Sequence, residues 1–386
     1  MTGESQRMAN VQSPMSPAVG ELIRWRPRTM SLGQGVVHYG PPPEAAEAVS
    51  ACMADARNHK YQLVQGVPQL LDVITRKMTT DNHVAIDEAN RVIVTAGGNM
   101  AFMNAVLAVT DPGDDVVIQS PYYFNHEMAI RIAGATPTVV PTDAAYQLNI
   151  NAIEAAITPR TRAVVTISPN NPTGAVYDEA SLRRVNDLCR RRGLYHIHDE
   201  AYEVFTYGDA RHFSPASIDG AAGHTISLYS LSKSYGFAGW RIGWMVIPAH
   251  LETAVKKIQD TLLICPPIVC QHAAAAAMRV GRAHYDPYVQ GLSRVRDLVL
   301  HELATLGDRV ELPQPQGAFY ALMRVNTSMR DMELVERLVK EHGVAVIPGR
   351  TFGIDDRCCL RVAYGALEEK TVAEGIGRLV RGLREV

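Results

Sequence analysis

Cysteine is scarce in this sequence, and no two cysteines have the CxxC spacing of a zinc or redox motif. So few thiols in 386 residues exclude a disulfide-stapled scaffold, and we expect all of them to be reduced. They are Cys52, Cys189, Cys265, Cys270, Cys358 and Cys359.

An excess of one charge and a long apolar run are also missing. Lys and Arg total 38 against 40 acidic residues, so the net charge of -2 offers no bulk attraction to nucleic acid or to an anionic membrane. No uncharged apolar run approaches about 18 residues, and the first twenty residues lack the apolar core of a signal peptide. We therefore expect a cytoplasmic protein with a polar, mobile leader and small-molecule partners.

Nucleotide-binding motifs are absent as well. The stretch "GQGVVH" has His38 where a dinucleotide fingerprint needs its third glycine, no strand pattern precedes it, and no GxxxxGK[ST] motif occurs. About thirty polar residues precede the first recognisable motif, which is too few for a helix-turn-helix module. These absences argue against a dinucleotide enzyme, a P-loop enzyme and a DNA-binding regulator.

The middle of the chain contains seven short β-rich runs that alternate with helix-like segments. Continuous apolar runs between turn residues predict strands that are covered on both faces, as in a mostly parallel sheet of an α/β protein. The runs are "RVIVT", "DVVIQS", "TPTVV", "RAVVTIS", "LYHIHD", "HTISLYS" and "IGWMVI".

After this block come two helical stretches and then three more strand candidates, "GAFYALMRV", "GVAVIPG" and "CLRVAYG". They predict a second, smaller α/β domain built from both ends of the chain. We assign residues 1–47 to the N-terminal part of the small domain, 48–280 to the large domain and 281–386 to the C-terminal part of the small domain.

Several predicted strands end in polar or aromatic residues, and α/β sheets bind ligands at the carboxyl ends of their strands. Taken singly, each signal has an ordinary explanation: "NPTG" is a turn, and an aspartate after a strand is usually a cap. His196 and His198 lie on one face of a strand and could bind a metal with Asp199, but no further ligand is spaced nearby. We therefore predict no metal site.

The order of the motifs is more specific than any one of them. The succession "AGGNM", "SPYYFNH", "SPNNPTG", "HDEAY", "SLSKSYGFAGWRIG" and "LRVAYG" resembles the class I/II aminotransferases, which are pyridoxal-phosphate enzymes of fold type I. The likeness runs from residue 31 to residue 365 and is greatest to the kynurenine, aromatic and methionine aminotransferase branch. It implies a large domain with a mostly parallel seven-stranded sheet, a smaller α/β domain formed by both termini, and pyridoxal 5'-phosphate as cofactor.

The resemblance also implies which residues bind the coenzyme phosphate. Lys233 matches the lysine that binds pyridoxal phosphate covalently, and Arg241 matches the arginine that holds its phosphate. Ser230, Gly98 and Asn99 match the other phosphate-binding positions, where free N–H groups at a helix start favour an anion.

A second set of positions matches residues around the coenzyme ring. Asp199 matches the carboxylate that keeps the pyridine nitrogen protonated, while Asn171 and Tyr202 match donors to the ring 3-oxygen. Tyr123 takes the position of the ring-stacking aromatic, with Tyr122 as a possible substitute. The catalytic set implied by the resemblance is Lys233, Asp199 and Tyr202.

Substrate and partner residues follow from the same comparison. Arg361 matches the arginine that grips the substrate α-carboxylate, near Gly35 and Asn171; the ordinary alternative is an arginine on a surface strand. Tyr61 resembles a tyrosine that reaches the phosphate of a neighbouring subunit, which implies a homodimer; the alternative is a helix-packing tyrosine.

The implied activity is transfer of an amino group between an L-amino acid and a 2-oxo acid by a ping-pong mechanism. We see no second arginine at a position that matches a dicarboxylate site, so we expect an aromatic, sulfur-containing or other hydrophobic substrate. The alternative is a pyridoxal-phosphate lyase of the same fold that eliminates a β-substituent by C–S cleavage, because the same residues serve both reactions.

Overall fold

The computed structural model describes residues 3–13 and 15–386 of the chain. The helices are α1 (Gln6–Ala9), α2 (Met15–Trp25), α3 (Pro43–Ala54), α4 (Pro68–Thr80), α5 (Gly98–Val109), α6 (Phe124–Ile132), α7 (Ile150–Ala155), α8 (Glu179–Arg192), α9 (Leu231–Ser234), α10 (Glu252–Leu262), α11 (Ile268–Val280), α12 (Arg282–Ala304), α13 (Asp331–Arg337) and α14 (Glu369–Arg384). The strands are β1 (Met30–Ser31), β2 (Asn90–Thr95), β3 (Asp115–Ser120), β4 (Thr136–Pro141), β5 (Thr161–Ile167), β6 (Tyr195–Asp199), β7 (Thr225–Ser230), β8 (Gly243–Pro248), β9 (Val310–Glu311), β10 (Tyr320–Val325), β11 (Val344–Ala345), β12 (Ile347–Pro348) and β13 (Cys359–Ala363). In the described part of the chain, no helix is both long enough and apolar enough to cross a membrane.

A seven-stranded sheet forms the centre of the molecule, with the strand order β2-β8-β7-β6-β5-β3-β4. All its neighbouring strands are parallel except β8, which runs antiparallel to both β2 and β7. Helices α5, α6 and α10 pack on one face through residues such as Phe102 and Ile130, and α7 and α8 pack on the other through residues such as Ile153 and Val185. The seven predicted strands and the α/β class are therefore confirmed.

Two smaller sheets lie outside the central sheet, and the second of them joins the two ends of the chain. One is an antiparallel sheet in the order β12-β13-β10-β9, and the other pairs β1 with β11 in parallel. The predicted strand "GVAVIPG" becomes two short strands, because Val344 pairs with Met30 whereas Ile347 pairs with Arg361. Residues 344–348 therefore connect the N-terminal strand β1 to the antiparallel sheet.

The N-terminal leader differs from the expectation of a mobile polar segment. Helix α2 buries Val19, which is 3% exposed, in the apolar cluster of the antiparallel sheet, and Leu22 and Ile23 pack against the same cluster. These three residues follow the i, i+3, i+4 spacing of one helix face. A search for a long apolar run misses such a pattern, because polar residues separate its members.

The division into residues 1–47, 48–280 and 281–386 stays a prediction. For function, the important feature of the fold is that β5, β6 and β7 are parallel, so their carboxyl ends meet at one edge of the central sheet.

Candidate active site

A cavity of about 370 Å³ opens at this edge of the sheet, and we call it the inner cavity. Its wall comes from the start of α5, the carboxyl ends of β5, β6 and β7, and the α9 turn. The lining residues are Gly98, Asn99, Tyr123, Ile167, Asn171, Asp199, Ala201, Tyr202, Ser230, Ser232, Lys233, Ala238 and Arg241.

One end of the inner cavity is suited to an anion. Gly97 precedes α5 with φ of 81°, and a Cβ at this position would lie 2.3 Å from Nη2 of Arg241. Only glycine therefore allows the guanidinium to lie against the helix start. The first N–H groups of α5 lack intrahelical acceptors, and the hydroxyls of Ser230 and Ser232 line the same space.

The inner cavity also contains a carboxylate, that of Asp199, which is only 8% exposed. Its Oδ2 lies 3.1 Å from Nε2 of His126, and its Oδ1 accepts a hydrogen bond from the backbone N–H of Ala201 at 3.0 Å. The His126 ring stacks on Phe102, with 3.8 Å between the ring centroids. Stacking and hydrogen bonding fix the orientation of this carboxylate, so it can face a cationic group.

Lys233 lies on the four-residue helix α9, directly after β7. Its Nζ donates a hydrogen bond to the carbonyl oxygen of Gly35 at 2.5 Å. Burial, with the nearby charges of Arg241 and Arg361, lowers the pKa of Lys233 to about 8, although Asp199 acts in the opposite direction. A lysine with this pKa is partly neutral near physiological pH, as a nucleophile or a general base requires.

The hydroxyl of Tyr202 connects the inner cavity to Asn171 and Tyr320 by hydrogen bonds. Its hydroxyl accepts a hydrogen bond from Nδ2 of Asn171 at 3.3 Å and lies 2.8 Å from the hydroxyl of Tyr320. Burial raises the pKa of Tyr202 well above its usual value, so this hydroxyl keeps its proton.

A second cavity of about 300 Å³ adjoins the first, and we call it the outer cavity. Tyr123, Asn171, Tyr202 and Lys233 line both cavities. The other lining residues are Val19, Gly20, Ile23, Ser31, Gly33, Gln34, Gly35, Val36, Phe124, Tyr320, Ile347 and Arg361.

Arg361 is buried in the wall of the outer cavity. Its Nη1 donates to Oδ1 of Asn171 at 2.9 Å, and its Nη2 donates to the carbonyl oxygen of Gly33 at 2.7 Å. Its Nε has no hydrogen-bond partner among the described residues. Because a guanidinium carries five N–H donors, Arg361 retains donors for a bound carboxylate.

The structure separates the two adjacent tyrosines of "SPYYFNH". Tyr123 lines both cavities, and its hydroxyl donates to Oδ1 of Asn99 at 3.3 Å. Tyr122 instead packs against Gly353, where a Cβ would lie 2.3 Å from the tyrosine ring, and it lines neither cavity. Tyr61 is 82% exposed and also lies outside both cavities of this chain.

His196 and His198 are part of a buried hydrogen-bonded group. Both rings contact Oγ1 of Thr166, at 2.7 and 2.6 Å. Burial, with a smaller effect from His224, lowers the pKa of His196 to about 3. In the described ranges, the groups of side chains close enough to share a metal ion do not include these two histidines. Those groups are Glu200, Glu203 and His212, and Glu341, His342 and Glu385.

Sequence reasoning missed three kinds of site residue. His126 is the last residue of the motif "SPYYFNH", three residues after Tyr123, so its place in that motif is a signal that points to the site. Tyr320 was assigned only to a strand, and the contribution of α2 through Val19 and Ile23 was not predicted. The latter residues reach the site through contacts that are distant in sequence.

Comparison with known proteins identifies the family. The model of the aminotransferase class I and II family matches residues 27–379. The chain belongs to the class I and II aminotransferases. It is a transaminase that uses pyridoxal phosphate, as the motif order suggested, and its fold is that of fold type I enzymes.

Similar aminotransferases differ in the substrates that their names give. The chain is 32% identical to the aromatic aminotransferase ISS1 of Arabidopsis thaliana, over 99% of this chain and 96% of that protein. It is also 32% identical to a probable aspartate/prephenate aminotransferase of Aquifex aeolicus, over 92% and 91% of the two chains. The aspartate aminotransferase of Thermus thermophilus, solved with maleate, superposes with a TM-score of 0.91 at 31% identity, over 99% of this chain and 100% of that one.

The inner cavity fits the coenzyme of this family. It offers cationic and N–H donors at the Arg241 end, a carboxylate at Asp199 and, at Lys233, an amine of lowered pKa. Pyridoxal phosphate has the complementary groups: a phosphate, a ring nitrogen that binds a proton and an aldehyde that reacts with an amine.

Proposed function

We propose that this aminotransferase acts on L-amino acids with one carboxylate and an apolar or aromatic side chain, and on the corresponding 2-oxo acids. The observation that carries this proposal is the charge distribution of the outer cavity. Among its described lining residues, the cationic side chains are those of Lys233 and Arg361 alone. Lys233 serves the reaction, so Arg361 remains for a single carboxylate.

The wall around the rest of the outer cavity supports the same substrate class. Val19 and Ile23 of α2, Val36, Phe124 and Ile347 present apolar side chains to it. Burial of an aliphatic or aromatic side chain against these residues is favourable by about 25 cal/mol per Å² of apolar surface. A second carboxylate would lose its hydration there without gaining an ion pair.

Arg361 would hold the substrate α-carboxylate through its unused donors. The guanidinium is fixed by Asn171 and by the carbonyl of Gly33, and it lies over the rings of Tyr320 and Phe352, 4.6 and 4.9 Å from their centroids. A fixed planar fork binds a carboxylate with little further loss of side-chain entropy. We assign the α-carbon of the substrate to the part of the cavity that Lys233 lines.

The coenzyme would be held at both ends of the inner cavity. We assign its phosphate to Arg241, Ser230 and the start of α5 at Gly98 and Asn99, and its pyridine nitrogen to Asp199. Asn171 and Tyr202 are assigned to its 3-oxygen, and Tyr123 to its ring face. When bound, the coenzyme supplies the electrophile that carries the amino group and the ring that accepts the electrons released at the α-carbon.

Lys233 is assigned two roles, covalent attachment of the coenzyme and transfer of the α-proton. With its amine free, Nζ of Lys233 would accept the proton from the substrate α-carbon in its neutral form. With a pKa of about 8, roughly a tenth of this amine is neutral at pH 7. For a lysine with the ordinary value the neutral fraction would be less than about one in a thousand.

We further propose a homodimer in which Tyr61 reaches the phosphate site of the partner subunit. Tyr61 borders a surface cavity and is 82% exposed. Large apolar residues close to it in sequence, and others bordering the same cavity, are also exposed, which is unusual for a surface that stays in water. They are Met53, Leu63 and Leu263.

Single-turnover experiments test the substrate proposal. The coenzyme-loaded enzyme is mixed with each of twenty L-amino acids without any 2-oxo acid, and the coenzyme absorbance is followed. We expect one equivalent of reaction, fastest with aromatic and other apolar amino acids. Fastest reaction with aspartate or glutamate would contradict the proposed substrate class, and continuing release of ammonia and pyruvate would instead indicate elimination.

Mixing inactive variants tests the shared site. Lys233→Ala and Tyr61→Ala proteins are combined at limiting coenzyme, after exchange of subunits. A hybrid dimer contains one site with both native residues, so activity above that of either parent is expected. A monomeric mass by light scattering, or no recovered activity in proven hybrids, would contradict the shared site.

A further inference from the structure

We propose that Tyr320 is a positioning residue that directs the hydroxyl proton of Tyr202 toward the coenzyme 3-oxygen. The inference rests on the proposed role of Tyr202. The hydroxyls of Tyr202 and Tyr320 lie 2.8 Å apart, although the residues are 118 positions apart in sequence. Tyr320 lines the outer cavity but not the inner one, so it acts through Tyr202.

Either hydroxyl can donate in this hydrogen bond, and counting the other donors and acceptors shows what each direction would do. Oδ1 of Asn171 accepts a hydrogen bond from Arg361, so its Nδ2 is the atom that faces Tyr202 and donates to it. A tyrosine hydroxyl has one proton and two acceptor positions. When Tyr320 donates as well, both acceptor positions of Tyr202 are filled, and its proton is left for an acceptor in the inner cavity.

The opposite arrangement would leave the coenzyme without this donor. If Tyr202 donated to Tyr320, its only proton would be used within the protein, and the negative 3-oxygen would receive none from it. In a relay from Tyr320 to Tyr202 to the coenzyme, the last hydrogen bond is donated to the negative 3-oxygen, which makes it a charge-assisted bond. Hydrogen bonds in such a chain also strengthen one another.

The surroundings of Tyr320 fix its hydroxyl in place. The residue is fully buried, and the guanidinium carbon of Arg361 lies 4.6 Å from its ring centroid, which favours a strongly donating hydroxyl. A Cβ at Gly35 would lie 2.4 Å from the Tyr320 hydroxyl oxygen. The loop that accepts the hydrogen bond of Lys233 therefore also makes room for this hydroxyl.

The relay has a consequence for the titration of the coenzyme–lysine linkage. Raising the pH removes a proton from this linkage and leaves one more negative charge, which is shared with the 3-oxygen. A hydroxyl donor stabilises the more negative form more strongly, so weakening that donor raises the apparent pKa of the linkage.

The test is a pH titration of the visible absorbance of coenzyme-loaded enzyme without substrate. We expect Tyr202→Phe to raise the apparent pKa, and Tyr320→Phe to raise it by a smaller amount. Loss of one hydrogen bond corresponds to about a 2- to 10-fold change in the equilibrium, or about 0.3 to 1 pH unit. In Tyr202→Phe protein, adding Tyr320→Phe should change nothing further, because the relay is already broken.

Tyr364→Phe is the matched control. Tyr364 is equally buried in the same apolar cluster, and its hydroxyl has no hydrogen-bond partner in the described part of the chain. It should titrate like the native enzyme.

Three outcomes overturn the inference. If Tyr202→Phe shifts the apparent pKa and Tyr320→Phe does not, the positioning role of Tyr320 is wrong, whereas the proposed role of Tyr202 is retained. If Tyr320→Phe gives the same shift with and without Tyr202, Tyr320 acts directly on the coenzyme. If Tyr202→Phe itself has no effect, the proposed role of Tyr202 fails and the relay fails with it.

Discussion

The inner and outer cavities share four side chains but are built in different ways. The inner cavity takes its lining from one continuous block, residues 98–241, mostly from strand ends and helix starts of a single sheet. The outer cavity adds α2, the loop that contains Gly33 and Gly35, and strands β10, β12 and β13. A fixed coenzyme can be bound by a local, rigid framework. The outer cavity, where we propose that the substrate binds, is instead assembled from segments that are distant in sequence.

The two cavities also differ in charge. Arg241 and Asp199 give the inner cavity separate cationic and anionic positions, which suits a ligand that carries both charges. In the outer cavity Arg361 is the fixed cation, within a mostly apolar wall. Substitutions in the first cavity should therefore affect all substrates alike, and substitutions in the second should change which substrate is preferred.

The largest effect is expected from Lys233→Ala. Loss of the amine removes both covalent attachment and the proton acceptor, so kcat should fall by at least about 10³-fold, while the coenzyme still binds through the other residues. Turnover assays and coenzyme content measure this. Lys257→Ala, at an exposed position of α10, should retain native kcat. Native turnover in Lys233→Ala would contradict the assigned role.

Arg361→Lys should have the next largest effect. An ammonium keeps the charge but lacks the planar fork, so kcat/KM should fall roughly 10- to 100-fold for every amino acid, with an unchanged coenzyme spectrum. Arg324→Lys on β10 is the control, because Arg324 pairs with Glu311 and lines neither cavity. An equal loss in both variants would indicate a general structural defect.

The pH dependence should show the lowered pKa of Lys233. Only the neutral amine attacks an aldehyde, so the rate at which the coenzyme-free enzyme binds pyridoxal phosphate covalently should fall about tenfold per pH unit below pH 8 and level off above it. A lysine with an ordinary pKa would give a rate that still rises near pH 10. That profile, measured from the absorbance of the forming coenzyme–lysine linkage, would show that burial does not lower the pKa of this amine.

The smallest effect is expected at the apolar wall. Ile23→Arg adds a cation to the outer cavity and should raise the ratio of kcat/KM for aspartate over phenylalanine severalfold, because a partly exposed ion pair contributes up to about 1 kcal/mol. Trp25→Arg is the control on the same helix, since Trp25 is 88% exposed and outside the cavity. An equal change of this ratio in both variants would contradict a role of the outer-cavity face of α2 in substrate specificity.

These differences explain which features the sequence could reveal. Asp199, Lys233 and Arg241 stand at strand ends or in turns whose local pattern marks them, so the sequence placed them and the sheet that carries them. The pairing of Tyr320 with Tyr202 depends on how two sheets meet, and the buried face of α2 depends on what it packs against. Neither relation leaves a signal within a short stretch of residues.

The central claim is that the coenzyme is bound covalently at Lys233, between the two cavities, and is released from it by an amino acid. The direct measurement is borohydride reduction of the loaded enzyme, followed by peptide mass analysis, with and without a prior single turnover of an apolar L-amino acid. We predict that the coenzyme is fixed to Lys233 in the untreated enzyme and absent from it after turnover. Labelling of another lysine, or labelling of Lys233 that the amino acid does not change, would contradict the account.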